Sequence, residues 1–260
     1  MKINTFRLRE TKQKLAARLD KYSELKKQRG MTLLEIIIVL GIIGVIAAGV
    51  VILAQRAFDT KAQTDLSDNA NTVRTAMKDA YGPVGRYPAV DAADTLTITP
   101  TNYSVAPQDG AAVSKLMMLG KLSVTEAKNG ISGNYILTGA AQIGSATAPQ
   151  DGSGAGYFVA LNGLNQTQCR SLLNQMGNNW DYVRVIDDAP AGNYGTAGSA
   201  VIQLDVVADA ATVQTDGTAD TINAQTGIYR SLVSPLTFTP DNVISACSNN
   251  SSNGIILGSR

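Results

Sequence analysis

The chain has 260 residues, of which 44% are hydrophobic, and its 22 Lys and Arg against 21 Asp and Glu give a formal net charge of +1. This length fits one ordinary domain with a tail or two small domains, and the composition is neither disordered nor collagen-like. The sequence contains no histidine, which removes the commonest general base and the commonest transition-metal ligand. We therefore predict no enzyme, no cofactor and no metal site.

The first 30 residues are strongly basic, with ten Lys and Arg against three Asp and Glu, whereas the remaining residues carry a net charge of −6. The basic residues precede an apolar segment and are not distributed over the surface of a folded domain. They indicate a targeting segment and argue against nucleic-acid binding.

An uninterrupted apolar run follows, because no side chain from Ile36 to Ala54 is polar or charged. As a helix this run would span roughly 28 Å, close to the thickness of a bilayer's hydrocarbon core. A buried core helix is the alternative. Lys26, Lys27 and Arg29 precede the run, so the positive-inside rule predicts a cytoplasmic N-terminus and an exported remainder.

The junction between leader and apolar run reads "RGMTLLEIIIVLGIIG". It resembles the type IV pilin signature: a basic leader ending in Gly30, a hydrophobic first mature residue, Met31, and a carboxylate, Glu35, at the fifth mature position. The leader of 30 residues and the Met at the first mature position resemble the type IVb subclass, to which the toxin-coregulated, CFA/III and longus major pilins of enteric bacteria belong.

The resemblance implies cleavage between Gly30 and Met31 by a prepilin peptidase, N-methylation of Met31, and roles for Thr32 and Glu35 in assembly. A lone carboxylate at the bilayer centre costs about 2.5 to 3.5 kcal/mol on insertion scales. The Met31 amine of a neighbouring subunit would supply a cationic partner in a filament core. The alternative is an edge carboxylate without a role.

The resemblance also implies an α+β pilin fold, with a long N-terminal helix packed on a mainly antiparallel sheet and one disulfide. The function implied is that of the major structural subunit of a pilus for adhesion, aggregation and colonisation of host or bacterial surfaces. The implied partners are further copies of the chain, an inner-membrane assembly platform with its ATPase, and an outer-membrane secretin. The implied location is the inner membrane and then the extracellular filament.

Two alternatives remain at this point. A type II secretion pseudopilin shares the Gly-Met-to-Glu pattern, although its leader is usually shorter and it usually lacks a C-terminal disulfide. A membrane-anchored periplasmic enzyme or binding protein would instead retain residues 1–30.

The expected organisation has five parts. These are a cleaved leader (1–30), a membrane and filament-core helix (31–54), the amphipathic half of that helix (55–82), a connecting loop (83–155), and a sheet region bounded by a disulfide (156–260). In the amphipathic half, apolar residues recur at spacings of three and four, with charged residues such as Lys61 and Arg74 elsewhere. The predicted buried stripe comprises Phe58, Ala62, Leu66, Ala70, Val73, Met77 and Tyr81.

Within the loop, short helices are predicted around Ala111 to Leu119 and after the capping box Ser123-x-x-Glu126. From 156 onward, helical signals occur at 165–177 and from Thr239-Pro240 to about Ala246, and Trp180 is predicted to pack rather than serve as an exposed adhesive contact. Strand-like runs are "YFVALN", "DYVRVI", "AVIQLDVVA" and "GIILG".

Only two cysteines are present, Cys169 and Cys247, both in the exported part. An oxidising compartment favours a bond between them, and such a bond would stabilise the fold by about 4.5 kcal/mol in the chain-entropy model. Two buried free thiols are the alternative.

Overall fold

The computed structural model describes residues 32–144, 155–206, 227–234, 237 and 239–260. The chain divides into two compact units, residues 1–57 and 58–260, and a long helix contributes residues to both. The leader with Gly30, and also Met31, lie outside the described residues.

The helices and strands are numbered in chain order. The helices are α1 (Leu33–Tyr81), α2 (Ala92–Thr97), α3 (Ala112–Met118), α4 (Gln166–Met176), α5 (Thr196–Ser199) and α6 (Pro240–Ala246). The strands are β1 (Leu137–Ala141), β2 (Gly156–Leu164), β3 (Tyr182–Ile186), β4 (Ile228–Arg230) and β5 (Asn253–Ser259).

Helix α1 ends at Tyr81, directly before the Gly82-Pro83 pair. A 3₁₀ turn over Gly82–Val84 follows, and Gly85 in the left-handed conformation donates its N–H to the Tyr81 carbonyl. Glycine is suited to this capping position because it lacks the Cβ that disfavours positive φ.

The second unit buries one face of α1, as the period of three and four residues predicted. Leu66, Ala70, Val73 and Met77 are fully buried. The prediction for Phe58 is wrong, because its side chain is 72% exposed. Burial along the helix begins only at Leu66, so the apolar pattern extends beyond the part of the helix that the core covers.

The five strands within the described residues form one antiparallel sheet in the order β1-β2-β5-β3-β4. The C-terminal strand β5 lies in the middle, with Leu257 opposite Val159 of β2 on one side and Val183 of β3 on the other. The expected mainly antiparallel sheet, and the strands expected at "YFVALN", "DYVRVI" and "GIILG", are confirmed.

Both faces of the sheet are covered. Alternate residues of β2 point in opposite directions: Val159 and Leu161 join a core with α1, α3, α4 and α6, whereas Phe158 and Ala160 join a second core. The second core is completed by chain segments without long helices, which contribute Tyr194, Ile202 and Leu204 among others. Apolar side chains on both faces of β2 therefore pack against apolar neighbours.

The helix predicted around Ala111 to Leu119 is confirmed as α3, but the helix predicted after Ser123 is wrong. The capping box itself forms: the Ser123 N–H donates to Glu126 Oε2 at 2.9 Å, and the Glu126 N–H to Ser123 Oγ at 3.3 Å. The chain then reverses into an isolated bridge between Lys128 and Tyr135. The Asn129 side chain supports this reversal, since its Oδ1 accepts from the Ile131 N–H at 2.9 Å.

The strand predicted at "AVIQLDVVA" is also wrong over its described part, residues 200–206. Gln203 makes one isolated bridge, to Gln142, flanked by hydrogen bonds from Gln142 N–H to the Ile202 carbonyl and from Leu204 N–H to the Gln142 carbonyl. Ile202 and Leu204 are both buried on the second face of the sheet. Their alternating burial reflects packing against the second face of the sheet. The segment does not add a strand to the sheet.

Three buried tyrosines predict a loss of stability at alkaline pH. Burial raises the pKa of Tyr157, Tyr182 and Tyr229 to about 12, whereas unfolded tyrosine titrates near 10. The folded state retains these protons where the unfolded state loses them. Their contribution to the free energy of unfolding is therefore complete below about pH 10 and declines as the pH rises toward 12.

We expect the denaturant concentration at the midpoint of unfolding to decrease as the pH rises from about 10 to 12. Phenolate absorbance in the folded protein should show a group of tyrosines that titrate near pH 12. Titration of all nine tyrosines near pH 10 without unfolding would contradict this expectation.

Candidate assembly site

The N-terminal end of α1 carries the predicted assembly residues Thr32 and Glu35. Thr32 caps the helix: the Glu35 N–H lies 3.2 Å from Thr32 Oγ1, and the Ile36 N–H donates to the Thr32 carbonyl at 3.2 Å. Glu35 is the acidic residue of the first turn, where the helix dipole favours a negative charge. The structure thus brings Thr32 and Glu35 together, and Met31 lies outside the described residues.

The capping role of Thr32 was not predicted, although the sequence contains a signal for it. A Thr followed three residues later by Glu, just before an apolar run, is the capping-box pattern. The resemblance to pilins implies a role for Glu35 as a charge partner. The two roles are compatible, because the Thr32 hydroxyl contacts the Glu35 backbone, not its carboxylate.

The apolar part of α1 in the first unit is exposed on every side. Its large side chains are between 38% and 77% exposed from Leu33 to Leu53, and the most apolar 18-residue window has a mean hydropathy of 3.2 with no residue buried. Monomeric soluble proteins rarely expose contiguous apolar patches larger than a few hundred Å². This surface requires lipid or other protein chains to cover it.

In the second unit, α1 is attached to the domain by a cation–aromatic contact. The Arg74 guanidinium carbon lies 4.6 Å from the centroid of the Trp180 ring, and Arg74 Nη1 donates to the Asn179 carbonyl at 2.8 Å. Trp180 is 1% exposed, which confirms the packing role predicted for it. Arg74 was placed among the exposed residues of the helix, but it is half-buried because its side chain lies over this ring.

The disulfide between Cys169 and Cys247 is present, with a Cα–Cα distance of 6.1 Å. Cys169 lies in α4, which begins with a capping box formed by Asn165 and Gln168, and Cys247 directly follows α6. Both helices were predicted. The Gln166 side chain also donates to the Cys247 carbonyl at 3.0 Å, so the C-terminal segment is fastened to α4 by a covalent bond and a hydrogen bond.

Comparison with known proteins agrees with these features. Residues 25–51 match the family model for the prokaryotic N-terminal methylation motif. The chain is 37% identical over 191 residues to a toxin coregulated pilin of Vibrio cholerae serotype O1, covering 71% of this chain and 72% of that protein. The chain belongs to the type IVb pilin family.

Two further comparisons support the family and its fold. A second toxin coregulated pilin of Vibrio cholerae is 35% identical over 163 residues, which cover 61% of this chain and 62% of that protein. The crystal structure of TcpA, a type IV pilin from the El Tor biotype of Vibrio cholerae, matches with a TM-score of 0.56 at 22% identity. The match covers 77% of this chain and 99% of that one, and it shows the pilin fold.

The chain is therefore a structural subunit and not an enzyme. It is processed by a prepilin peptidase, assembles with copies of itself, and passes from membrane anchoring to an extracellular pilus. These relatives do not support the alternatives of a type II secretion pseudopilin or a membrane-anchored periplasmic enzyme. Within the described residues, no group of three or more His, Cys, Asp or Glu is placed to hold a metal ion.

We expect Cys247→Ser to destabilise the folded domain. The disulfide joins residues 78 apart, and its removal should lower the free energy of unfolding by about 4.5 kcal/mol in the chain-entropy model. Denaturant unfolding of the variant and of the wild type with and without reductant measures this difference. Equal midpoints for the oxidised wild type and the variant would contradict a stabilising role for the bond.

Proposed function

We propose that this chain is the major subunit of a type IVb pilus and that the prepilin is cleaved between Gly30 and Met31, with methylation of the new Met31 amine. The family-model match at residues 25–51 includes both residues. The N-terminus would be cytoplasmic and the domain periplasmic before assembly. An inner-membrane platform with its ATPase and an outer-membrane secretin would export the filament.

The observation that carries the assembly mechanism is the uncovered apolar surface of α1 with Glu35 in its first turn. In the bilayer, Glu35 lies four residues from the Met31 amine, near the membrane edge. When subunits pack in a filament core with less water, an unpaired carboxylate becomes costly. The Met31 amine of a neighbouring subunit would relieve this cost at only one axial position, so the ion pair would select the register.

Thr32 would support this arrangement by holding the first turn of α1. Its hydroxyl lies 3.2 Å from the Glu35 N–H, which also donates to the Thr32 carbonyl at 3.0 Å, so Thr32 accepts from this N–H through both oxygens. The turn that carries Glu35 is thereby kept helical close to Met31. Thr32→Ser preserves the hydroxyl and Thr32→Ala removes it, so this pair of variants separates capping from side-chain volume.

Exposed surfaces of the assembled filament would mediate adhesion, bacterial aggregation and colonisation. Host or bacterial cell surfaces are the proposed targets. The connecting loop and the sheet region supply these surfaces, since the first half of α1 would be enclosed in the filament core. Nucleic acid is not a proposed partner.

The test is a pair of substitutions at Glu35. Glu35→Val removes both the charge and the ability to accept a hydrogen bond, whereas Glu35→Gln keeps the shape and the hydrogen-bonding capacity of a capping-box residue. We expect both variants to be cleaved normally and to assemble poorly, because neither carries the negative charge. Leader removal is measured by gel mobility, and filaments by sedimentation after shearing.

A matched control is Ile38→Val, an apolar exchange at an exposed position of the same helix segment. This variant should assemble. If Glu35→Gln assembled as the wild type while Glu35→Val did not, Glu35 would act through helix capping and the ion-pair mechanism would be wrong.

A further inference from the structure

Three Asn-Gly pairs occur in the sequence, at 129–130, 162–163 and 253–254. All three asparagines are buried, with exposures of 1%, 1% and 0%. Buried amides must be hydrogen-bonded to be tolerated, and each of these side chains makes several hydrogen bonds. The three asparagine side chains are therefore enclosed by the fold, although Gly130 itself is exposed and lies in a turn.

Asn162 of β2 is the centre of a polar network. Its Nδ2 donates to Asn134 Oδ1 at 3.0 Å, to the Asn193 carbonyl at 2.9 Å and to the Pro190 carbonyl at 3.2 Å. Its Oδ1 accepts from Ser132 Oγ at 2.8 Å. The amide thus joins the connecting loop, the sheet and the segment after β3.

Asn129 and Asn253 have equivalent roles at other positions. Asn129 Nδ2 donates to the Asn162 carbonyl at 2.9 Å, and its Oδ1 accepts from the Ile131 N–H at 2.9 Å. Asn253 Nδ2 donates to the Ser248 carbonyl at 2.9 Å and the Leu164 carbonyl at 3.2 Å. In every case Nδ2 faces oxygen atoms, so the position requires a donor.

The fold also requires glycine after two of these asparagines. Gly163 has a φ of +71°, and a Cβ there would lie 2.8 Å from the Ser132 Cβ. A Cβ at Gly254 would lie 2.8 Å from the Ala189 Cβ and 3.0 Å from the Leu161 carbonyl oxygen. Gly130 differs, because nothing lies within 4 Å of its added Cβ.

Asn-Gly is the sequence most prone to spontaneous deamidation, because glycine has no side chain to hinder attack by its own backbone nitrogen. That nitrogen attacks the asparagine Cγ and forms a succinimide. The Cγ–Nδ2 bond breaks and ammonia leaves with the proton of the glycine N–H. Water then opens the ring to Asp or isoaspartate. The reaction needs no oxidant, cofactor or enzyme.

We infer that Asn129, Asn162 and Asn253 are deamidation sites which folding protects, and that the reaction at Asn162 prevents a chain left unfolded from later reaching the native state. The inference does not depend on the filament role. An unfolded subunit that is deamidated at Asn162 can no longer fold and is irreversibly lost from the subunits available for assembly.

Protection in the folded state follows from the hydrogen bonds at the reacting atoms. The Gly163 N–H, which carries the attacking nitrogen, donates to the Ala189 carbonyl at 2.8 Å. The departing Nδ2 of Asn162 is held by three acceptors. Succinimide formation requires both groups to leave these partners and the backbone to rotate, which the sheet and the loop packing prevent.

The consequence of deamidation is a mismatch of donors and acceptors. Asp at 162 would place a carboxylate oxygen where Nδ2 now faces the oxygens of Asn134, Pro190 and Asn193. A buried negative charge facing acceptors is strongly destabilising. Isoaspartate would also lengthen the backbone inside a β-strand and disturb its register.

The first experiment introduces the product directly. Asn162→Asp is compared with Asn165→Asp, three residues away, where the side chain only accepts a hydrogen bond as the N-cap of α4, from the Gln168 N–H at 2.9 Å. Asp is as good an N-cap as Asn. The full chain with Asn165→Asp should match the wild type in denaturant midpoint, and Asn162→Asp should have a much lower midpoint or fail to form the disulfide-bonded fold.

The second experiment follows the reaction itself in the full chain in detergent. Folded protein and protein held unfolded in denaturant with reductant are incubated side by side at mildly alkaline pH. Peptide mass mapping then follows the conversion of amide to acid at each site. We expect conversion at all three sites in the unfolded sample only, and intact Asn162 in every molecule that refolds after denaturant removal.

Gly130→Ala provides the internal control, because the added methyl group enters open space in the fold. In the unfolded sample it should slow conversion at Asn129 and leave Asn162 and Asn253 unchanged. Conversion at equal rates in folded and unfolded protein would overturn the protection. Recovery of refolded molecules carrying Asp or isoaspartate at 162 would overturn the claim that the reaction prevents folding.

Discussion

The apolar surface of α1 that its own chain leaves uncovered is the constraint on which the rest of the molecule depends. From Leu33 to Leu53 the side chains are exposed, so this segment is stable only in lipid or against other chains. The same constraint explains why the Glu35 carboxylate points to a contact between subunits. A charge placed in such a surface is unfavourable until a partner neutralises it, and in a homopolymer the partner must come from another copy.

Much of the fold could be predicted because several signals are local. Helices α4 and α6 were predicted from the helical signals at 165–177 and from Thr239-Pro240, and β2, β3 and β5 from short strand-like runs. The buried face of α1 could be predicted from the spacing of its apolar residues, but the residue at which burial begins could not. Phe58 continues the pattern and is exposed, since periodicity identifies a face and does not show how far the domain extends along it.

The unpredicted parts are those that depend on distant partners. Strand β1 reads "LTGAA", which has weak strand propensity, and it forms because β2 offers an edge to pair with. The run at 200–206 alternates as a strand should, yet it packs across the sheet. The amide network around Asn162 joins loop segments whose proximity no local pattern indicates. At the N-terminus, the resemblance to pilins predicted Thr32 and Glu35 as assembly residues, and the structure adds that Thr32 caps the helix.

Intact mass and N-terminal sequencing of protein sheared from intact cells test the central claim most directly. The account predicts a chain that begins at N-methylated Met31, lacks residues 1–30 and is recovered in sedimentable filaments. The new amine and Glu35 would then be present in the same polymer, as their pairing requires. A chain that retains residues 1–30 and remains with the membrane fraction would contradict the account, because the cation proposed to pair with Glu35 would not exist.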